Sequence, residues 1–316
     1  MLCYKFNKGN FLETTKKNPM RTETLAGEVQ HGADSAAELP NRLNRYSVAH
    51  HRAIQMANYA NTLKEVNISR KLTTCGDYLV FRDYYTIDQI KLHSAFFCKK
   101  HLLCPLCAIR RGAKLVKAYM DRLEVIINEK PRLNAFLVTF TVKDGADLEE
   151  RFNHLAESIK LYNKYRHLKR GHEVSKVDGA VWSYEFKRGS NSGLWHPHLH
   201  AVWLCEEKPD AYKISQEWLA ITGDSYIVDV TEFHNQEDVI GGFLEVFKYA
   251  VKFSDLPLED NWHGYEVLNR RRLIASFGVF RGVEIPETLT DVPLDSLPYV
   301  QYFYQFYNQI GYALKP

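Results

Sequence analysis

No run of this 316-residue chain approaches the roughly 20 apolar residues that a membrane-spanning helix requires. Met1–Pro19 has no apolar core of the kind a secretory signal carries. Both absences point to the cytoplasm as the expected compartment, with no membrane partner. Cysteine is scarce, at six residues, and in a reducing compartment six cysteines argue against a disulfide framework. No internal repeat is present, which sets solenoids aside. Net charge is small, +3, and by itself names no partner. Its distribution says more. From Cys98 to Lys117 there are six Lys/Arg and no Asp or Glu. Lys99, Lys100, Arg110, Arg111 and Lys114 are therefore candidates for neutralising phosphates, the alternative being a solvated basic helix face.

What is present is an ordinary globular composition, 45% hydrophobic and 25% charged. Four regions follow along the chain. Residues 1–70 are polar and read as a flexible arm, with one helix near Ser47–Thr62 and Ser47 as its N-cap. Residues 71–130 hold a cysteine cluster and then a helix, Ala108–Asn128, which Pro131 ends. Residues 131–285 alternate strands and helices. Ala135–Lys143 is a predicted strand, with Phe136, Val138, Phe140 and Val142 on one face and Thr139 and Thr141 on the other. A helix over Leu148–Leu168 and a strand over Ala180–Lys187 follow. The turn Gly189–Gly193 then predicts an antiparallel hairpin with the next strand. A helix at Ala211–Thr222, a strand at Ser225–Val230 and a helix at Gln236–Phe253 complete the order β-α-β-β-α-β-α. That order resembles an α+β ferredoxin-like sheet with an added helix. Residues 286–316 form a tyrosine-rich tail, which either packs on the core or stacks on bases.

The densest chemistry lies in Trp195-His196-Pro197-His198-Leu199-His200. Strand residues two apart share a face, so His196, His198 and His200 project together, opposite the apolar residues. Imidazole is a common ligand of divalent metals, and three alternating histidines suit a metal site. The second constellation lies on the predicted helix through Gly242–Lys252. At about 100° per residue, Glu245, Lys248, Tyr249 and Lys252 share one stripe; the plainer reading is a solvated face of ion pairs. A tyrosine hydroxyl, with a pKa near 10, is a poor nucleophile unless a lysine lowers that value and offsets phosphate charge. A metal on histidines would polarise a phosphoryl oxygen. Together these are the parts of a nuclease that links itself to DNA through phosphotyrosine.

These residues resemble the rolling-circle plasmid replication initiators of the HUH endonuclease superfamily, in the class with a single catalytic tyrosine. Phe136-Leu137-Val138-Thr139-Phe140-Thr141 is similar to the first motif, Trp195–His200 to the second and Glu245–Lys252 to the third. The cysteine segment Cys98…Cys104-Pro105-Leu106-Cys107 and the stretch Arg271–Arg281 resemble flanking segments of the same proteins, so the likeness spans about residues 71–281. The resemblance implies a ferredoxin-like nicking core at 131–285, with His198 and His200 as the metal pair. It also implies Tyr249 as nucleophile, helped by Lys252, and Glu245 as the base that activates water to end the cycle. Implied cofactors are Mg²⁺ or Mn²⁺. Implied partners are origin DNA, single-stranded or extruded as a hairpin, and a host helicase and polymerase. His196 stands where many members carry a non-ligand residue, and its metal role is open. Glu185, on the paired strand, is the candidate third ligand; its alternative is a salt bridge with Lys187 or Arg188.

Cys75, Cys98, Cys104 and Cys107 are candidate ligands of a structural Zn²⁺. The long Cys75–Cys98 spacing leaves room for His93 or His101 to replace one of them, and a redox CxxC is the rival. Three other functions fit parts of the pattern. A histidine-triad nucleotide hydrolase would form a nucleotidyl-histidine. A non-enzymatic zinc regulator would bind DNA without cutting it. A transposase or relaxase of the same superfamily would share the chemistry.

Overall fold

Period-two alternation, interrupted by capped helices, produces two antiparallel sheets in this chain. The computed structural model describes residues 35–167, 171–248 and 256–315. In chain order the elements are α1 (Leu39–Thr62), α2 (Val66–Thr73), β1 (Tyr78–Tyr84), β2 (Gln89–Ala95), α3 (Pro105–Glu129), β3 (Asn134–Thr141), α4 (Leu148–Tyr165), β4 (Gly179–Arg188) and β5 (Trp195–Cys205). They continue with α5 (Ala211–Thr222), β6 (Val228–Glu232), α6 (Gln236–Val246), α7 (Leu258–Leu268), β7 (Ile274–Gly278), β8 (Val300–Tyr307) and β9 (Gly311–Leu314). A four-stranded sheet has the order β2-β1-β8-β9 and a five-stranded sheet the order β6-β3-β5-β4-β7. Every pair whose register is resolved runs antiparallel.

The five-stranded sheet has two unlike faces. On one, Phe136, Phe140, Leu199 and Trp203 are buried beneath α4 and α5, which contribute Leu155, Tyr162, Ile214 and Trp218. Both helices start on an aspartate. Asp147 accepts a hydrogen bond from the Glu150 amide at 3.0 Å, and Asp210 accepts from the Tyr212 and Lys213 amides. Trp218 Nε1 donates to the Thr141 carbonyl at 2.9 Å, which satisfies the buried indole. On the other face, Val181, Val202 and Leu204 pack under Phe243 and Phe247, with Leu115, Tyr119 and Leu123 of α3 behind them. Each fully buried side chain of this size stabilises by about 1.5–3 kcal/mol.

Several elements depart from the sequence reading. The polar segment before Arg70 contains α1 and α2, and α1 starts at Leu39 with Pro40 in its first turn. Ser47, expected as an N-cap, lies inside α1. Its hydroxyl donates to the Leu43 carbonyl and accepts from the Tyr312 amide. The buried stripe of α1 is Tyr46, Ala49, Ala53, Met56, Ala57 and Ala60. Alanine carries little hydrophobic signal, so a helical period was masked by polar neighbours. Helix α3 begins at Pro105, earlier than Ala108. Strand β6 begins at Val228 because Ser225 is held in the preceding turn by Thr222. Helix α6 ends at Val246 rather than continuing to Phe253, and residues 249–255 lie outside the described residues. The tyrosine-rich tail forms β8 and β9, with Tyr304 edge-on against Phe81 of β1. No helix of the described residues is long and apolar enough to cross a membrane.

Candidate active site and cysteine centre

The polar face of the five-stranded sheet is set by register. Across β3-β5-β4, Leu137, Val202 and Val181 form one row, Thr139, His200 and Ser183 the next, and Thr141, His198 and Glu185 the one beyond. All three rows lie on the same face. The surface therefore changes from apolar to polar between Val202 and His200. Helix α6 covers the apolar part and stops at Val246, where the polar part begins.

Glu185 is the centre of the cluster. Its Oε2 lies 2.9 Å from His198 Nε2, 3.2 Å from His200 Nε2 and 2.7 Å from Lys248 Nζ. Lys248 also pairs with Glu245. Burial pushes the His198 imidazole down to about 3, against the opposing pull of Glu185, and lowers His200 in the same way. Both rings are thus neutral at physiological pH, the form that binds metal. Thr139 Oγ1 lies 3.1 Å from His200 Nδ1 and fixes that ring's orientation. His198 Nδ1 is buried without a hydrogen-bond partner among the described residues. Two neutral imidazoles and one carboxylate, with ligand atoms within 4.8 Å of one another, form a donor set that fits a divalent cation. Burial raises Glu245, but the Lys248 ammonium more than offsets this, and the carboxyl stays below its usual range.

His196 shares the face but not the cluster. Its Nδ1 is 2.6 Å from Asp144, whose other oxygen accepts from Ser192 Oγ, and its ring lies 5.5 Å from that of His198. Asp144, in the turn after β3, is what draws it away. Arg188 does not pair with Glu185; it forms a two-pronged bridge to Asp260 of α7, at 2.9 and 2.6 Å. Tyr249 and Lys252 lie outside the described residues. Because α6 ends at Val246, the single helical stripe expected through Lys248 is not what gathers Glu245 and Lys248. They meet at the helix terminus.

The four cysteines come together from three separate places. Cys75 follows α2, Cys98 follows β2, Cys104 caps α3, and Cys107 lies in the first turn of α3. Sulfur–sulfur distances are 3.5 Å for Cys75–Cys107, 3.5 Å for Cys104–Cys75 and 3.6 Å for Cys98–Cys107. A disulfide needs about 2.05 Å. Four thiolates around Zn²⁺, at about 2.3 Å each, stand about 3.8 Å apart. The spacing fits the tetrahedral ion. Neither His93 nor His101 joins this group. Hydrogen bonding to Cys107 and Cys75, together with burial, pushes the Cys104 thiol well above its ordinary value. Four thiolates packed this closely out of water would need a cation between them. Gly76 makes the turn at φ 75°, and a Cβ there would meet Leu106 Cδ2 at 2.3 Å.

The basic run divides. Arg110 is buried, donating to the Leu289 carbonyl and the Tyr46 hydroxyl and pairing with Asp291. This corrects its expected role as a phosphate contact, because its guanidinium is consumed inside the protein. Lys100 lies over the Tyr265 ring, 5.8 Å from its centroid, and Lys99 adopts a left-handed φ of 57°. Arg111 is exposed, and Lys114 is half-buried on the next turn of α3. Thr139 and Asp144 were not anticipated as site residues. The period-two pattern of the first-motif strand, which already set Thr139 apart from the apolar face, was the available signal for the first.

A mixed α+β protein with a histidine–carboxylate cluster on an antiparallel sheet and a four-cysteine centre is the class these features define. A family model for replication proteins, Rep_1, matches residues 89–300. The chain belongs to this Rep family of replication proteins, the initiators its motifs resemble. It is 26% identical over 258 residues to "Protein rep" of Streptococcus pneumoniae serotype 2, covering 76% of this chain and 77% of that protein. It is 25% identical over 260 residues to a "Protein rep" of Bacillus sp., covering 71% and 81%, and 24% identical over 274 residues to that of Lactiplantibacillus plantarum, covering 79% and 84%. No solved structure matches the chain.

Proposed function

We propose that this protein initiates rolling-circle plasmid replication by nicking one strand of the origin, as an HUH endonuclease of the single-tyrosine class. The observation that carries the reading is the convergence of Glu185, His198 and His200 beside Lys248 and Glu245. The strand order supports it. For the β-α-β-β-α-β segment from β3 to β6, the order β6-β3-β5-β4 is that of a ferredoxin-like sheet.

Glu185, His198 and His200 would hold Mg²⁺ or Mn²⁺, which supplies polarisation of a phosphoryl oxygen when bound. His196, held by Asp144, is not counted among these ligands. The Tyr249 hydroxyl attacks the scissile phosphorus, with Lys252 favouring the phenolate. The Tyr–O–P bond forms, the P–O3′ bond breaks, and the departing O3′ takes up a proton from solvent, balancing the one Tyr249 gave up, to leave the 3′ hydroxyl that primes a polymerase. Lys248 is placed to exchange its bonds with Glu185 and Glu245 for the incoming phosphate. Glu245, relieved of Lys248 by that exchange, then takes a proton from the water that cleaves the phosphotyrosine. The cysteine centre would hold a structural Zn²⁺ in a DNA-binding module spanning about residues 71–130. Origin DNA, a host helicase and a polymerase are the partners this reading requires, in the cytoplasm.

The test is direct. Labelled single-stranded origin DNA incubated with the protein and Mn²⁺ is expected to give a covalent band. Tyr249→Phe is expected to abolish the band while leaving DNA binding near wild type. An adduct that persists in Tyr249→Phe would overturn the assignment of the nucleophile.

A further inference from the structure

A cavity of about 310 Å³ opens between α3, the end of α6 and the turn leading into β7. Ser183 and Lys248 line it, and Lys248 also pairs with Glu185, so the cavity adjoins the histidine–carboxylate cluster. Its other cations are Arg111, Arg270, Arg271 and Arg272, and no carboxylate is among the residues lining it. Leu102, Leu115 and Phe247 supply an apolar wall.

The arginines differ in what they are free to do. Arg271 is committed to the scaffold, pairing with Glu149 and donating to Asn153 and the Val267 carbonyl. It fixes the turn. Arg270 is held at a left-handed φ of 65°, a strained conformation for a residue with a side chain. Arg111, exposed and lining the cavity, has no acidic partner among the described residues. A cation without a counter-charge in a cavity that holds no carboxylate is placed to receive an anion.

We propose that this cavity is a nucleotide subsite. Arg111 and Arg272 hold one phosphodiester of the single strand next to the scissile phosphate, and the sugar and base rest on the apolar wall. The volume suits one nucleotide, and a cationic side opposite an apolar side matches a nucleotide's two halves. The cysteine centre holds part of the wall. His101 and Leu102 lie between Cys98 and Cys104, and Arg111 follows Cys107 by about one turn. The proposal rests on the nicking reading above for its substrate, and it is tested separately.

The probe is a fluorescein-labelled oligothymidylate of about 12 nucleotides, bound to the full-length protein and followed by anisotropy over a salt series. Replacing both residues, Arg111→Ala with Arg272→Ala, is expected to weaken binding roughly ten- to a hundred-fold, the loss of two charge-assisted contacts. The salt slope should become shallower by about 0.7, the value for the one single-strand phosphate the two arginines share. Arg111→Lys should restore the slope but only part of the affinity, since the charge returns without the two-pronged geometry. Arg132→Ala, an exposed arginine outside the cavity, should bind as wild type. If the double variant unfolds, Arg272→Ala alone on its exposed turn should remove part of that slope, up to about 0.7. Wild-type affinity and slope in the cavity variants would overturn the subsite, as would an equal loss in Arg132→Ala or failure of the wild-type protein to bind the probe. Adduct formation on labelled origin DNA reads the nicking assignment independently. An adduct with unaltered cavity variants sinks only the subsite; no adduct, with the cavity effect intact, sinks only the nicking.

Discussion

At the scale of single residues, Glu185 is where His198, His200 and Lys248 meet. Removing its ligand partners should hurt unequally. His198→Ala and His200→Ala are expected to lose metal-dependent nicking, and His196→Ala to lose less, because Asp144 has already drawn His196 aside. Equal loss at all three in a nicking assay would put His196 back among the ligands. Thr139→Val keeps the shape but leaves His200 Nδ1 unheld, so apparent Mn²⁺ affinity should fall about 10–100-fold while activity recovers at saturating metal. A metal titration with an unchanged midpoint would show that Thr139 does not orient the ring. Glu245→Gln should still nick but not release, with terminal hydrolysis down roughly a hundred- to ten-thousand-fold and the covalent adduct accumulating. Adduct turnover at the wild-type rate would leave Glu245 as the partner of Lys248 alone. The histidines were legible because a strand's period is two, and Glu185 because the hairpin register set it beside them. Asp144 was not, since a turn carboxylate has no periodicity to announce where it points.

At the scale of elements, the decisive event is that α6 ends where the sheet turns polar. A helix one turn longer would cover the cluster; one turn shorter would uncover Val202. Hydrophobic periodicity showed that a helix was there but not where it stops, because Glu245, Lys248, Tyr249 and Lys252 fit a continued helix equally well. Helix α3 shows the reverse case. Its buried residues were readable from spacing, and its start was read at Ala108 where the helix begins at Pro105. That start is tied to the cysteine centre, because Cys104 caps the helix and Cys107 lies in its first turn. Cys104→Ser is therefore expected to abolish a one-per-chain zinc content in elemental analysis and to lower the melting temperature. Duplex origin binding should weaken more than cleavage of short single strands. A reduced wild-type protein without zinc would remove the metal from this centre.

At the scale of the whole molecule, Asp291 ties distant parts together. It pairs with Arg42 of α1 at 2.8 Å, pairs with Arg110 of α3, and accepts the Leu92 amide of β2 at 2.7 Å. Burial alone would raise its carboxyl, but Arg110 and Arg42 outweigh burial and hold it well below the carboxylate range. A depressed folded value means that its contribution is complete above the unfolded pKa of about 3.9 and is lost as pH falls towards the folded value. Acid titration of stability should therefore steepen below about pH 4, and Asp291→Asn should flatten that part of the curve. Asp291→Ala, which strands two buried arginines, should cost about 3–5 kcal/mol in chemical denaturation. An unchanged acid limb in Asp291→Asn would assign that sensitivity to other carboxylates. None of this was visible in local pattern, since the partners lie 249 and 181 residues apart. The same distance applies to the smaller sheet, where Val80 of β1 pairs with Phe303 of β8. During synthesis β1 must wait for β8 while more than two hundred residues are added, tens of seconds at ribosomal speed. The strands from β3 to β7 are complete before then. The sheet from β3 to β7 can assemble first on the ribosome, whereas the four cysteines, all synthesised by Cys107, wait for Tyr312, whose hydroxyl donates to the Gly76 carbonyl, and their pocket stays open through most of synthesis.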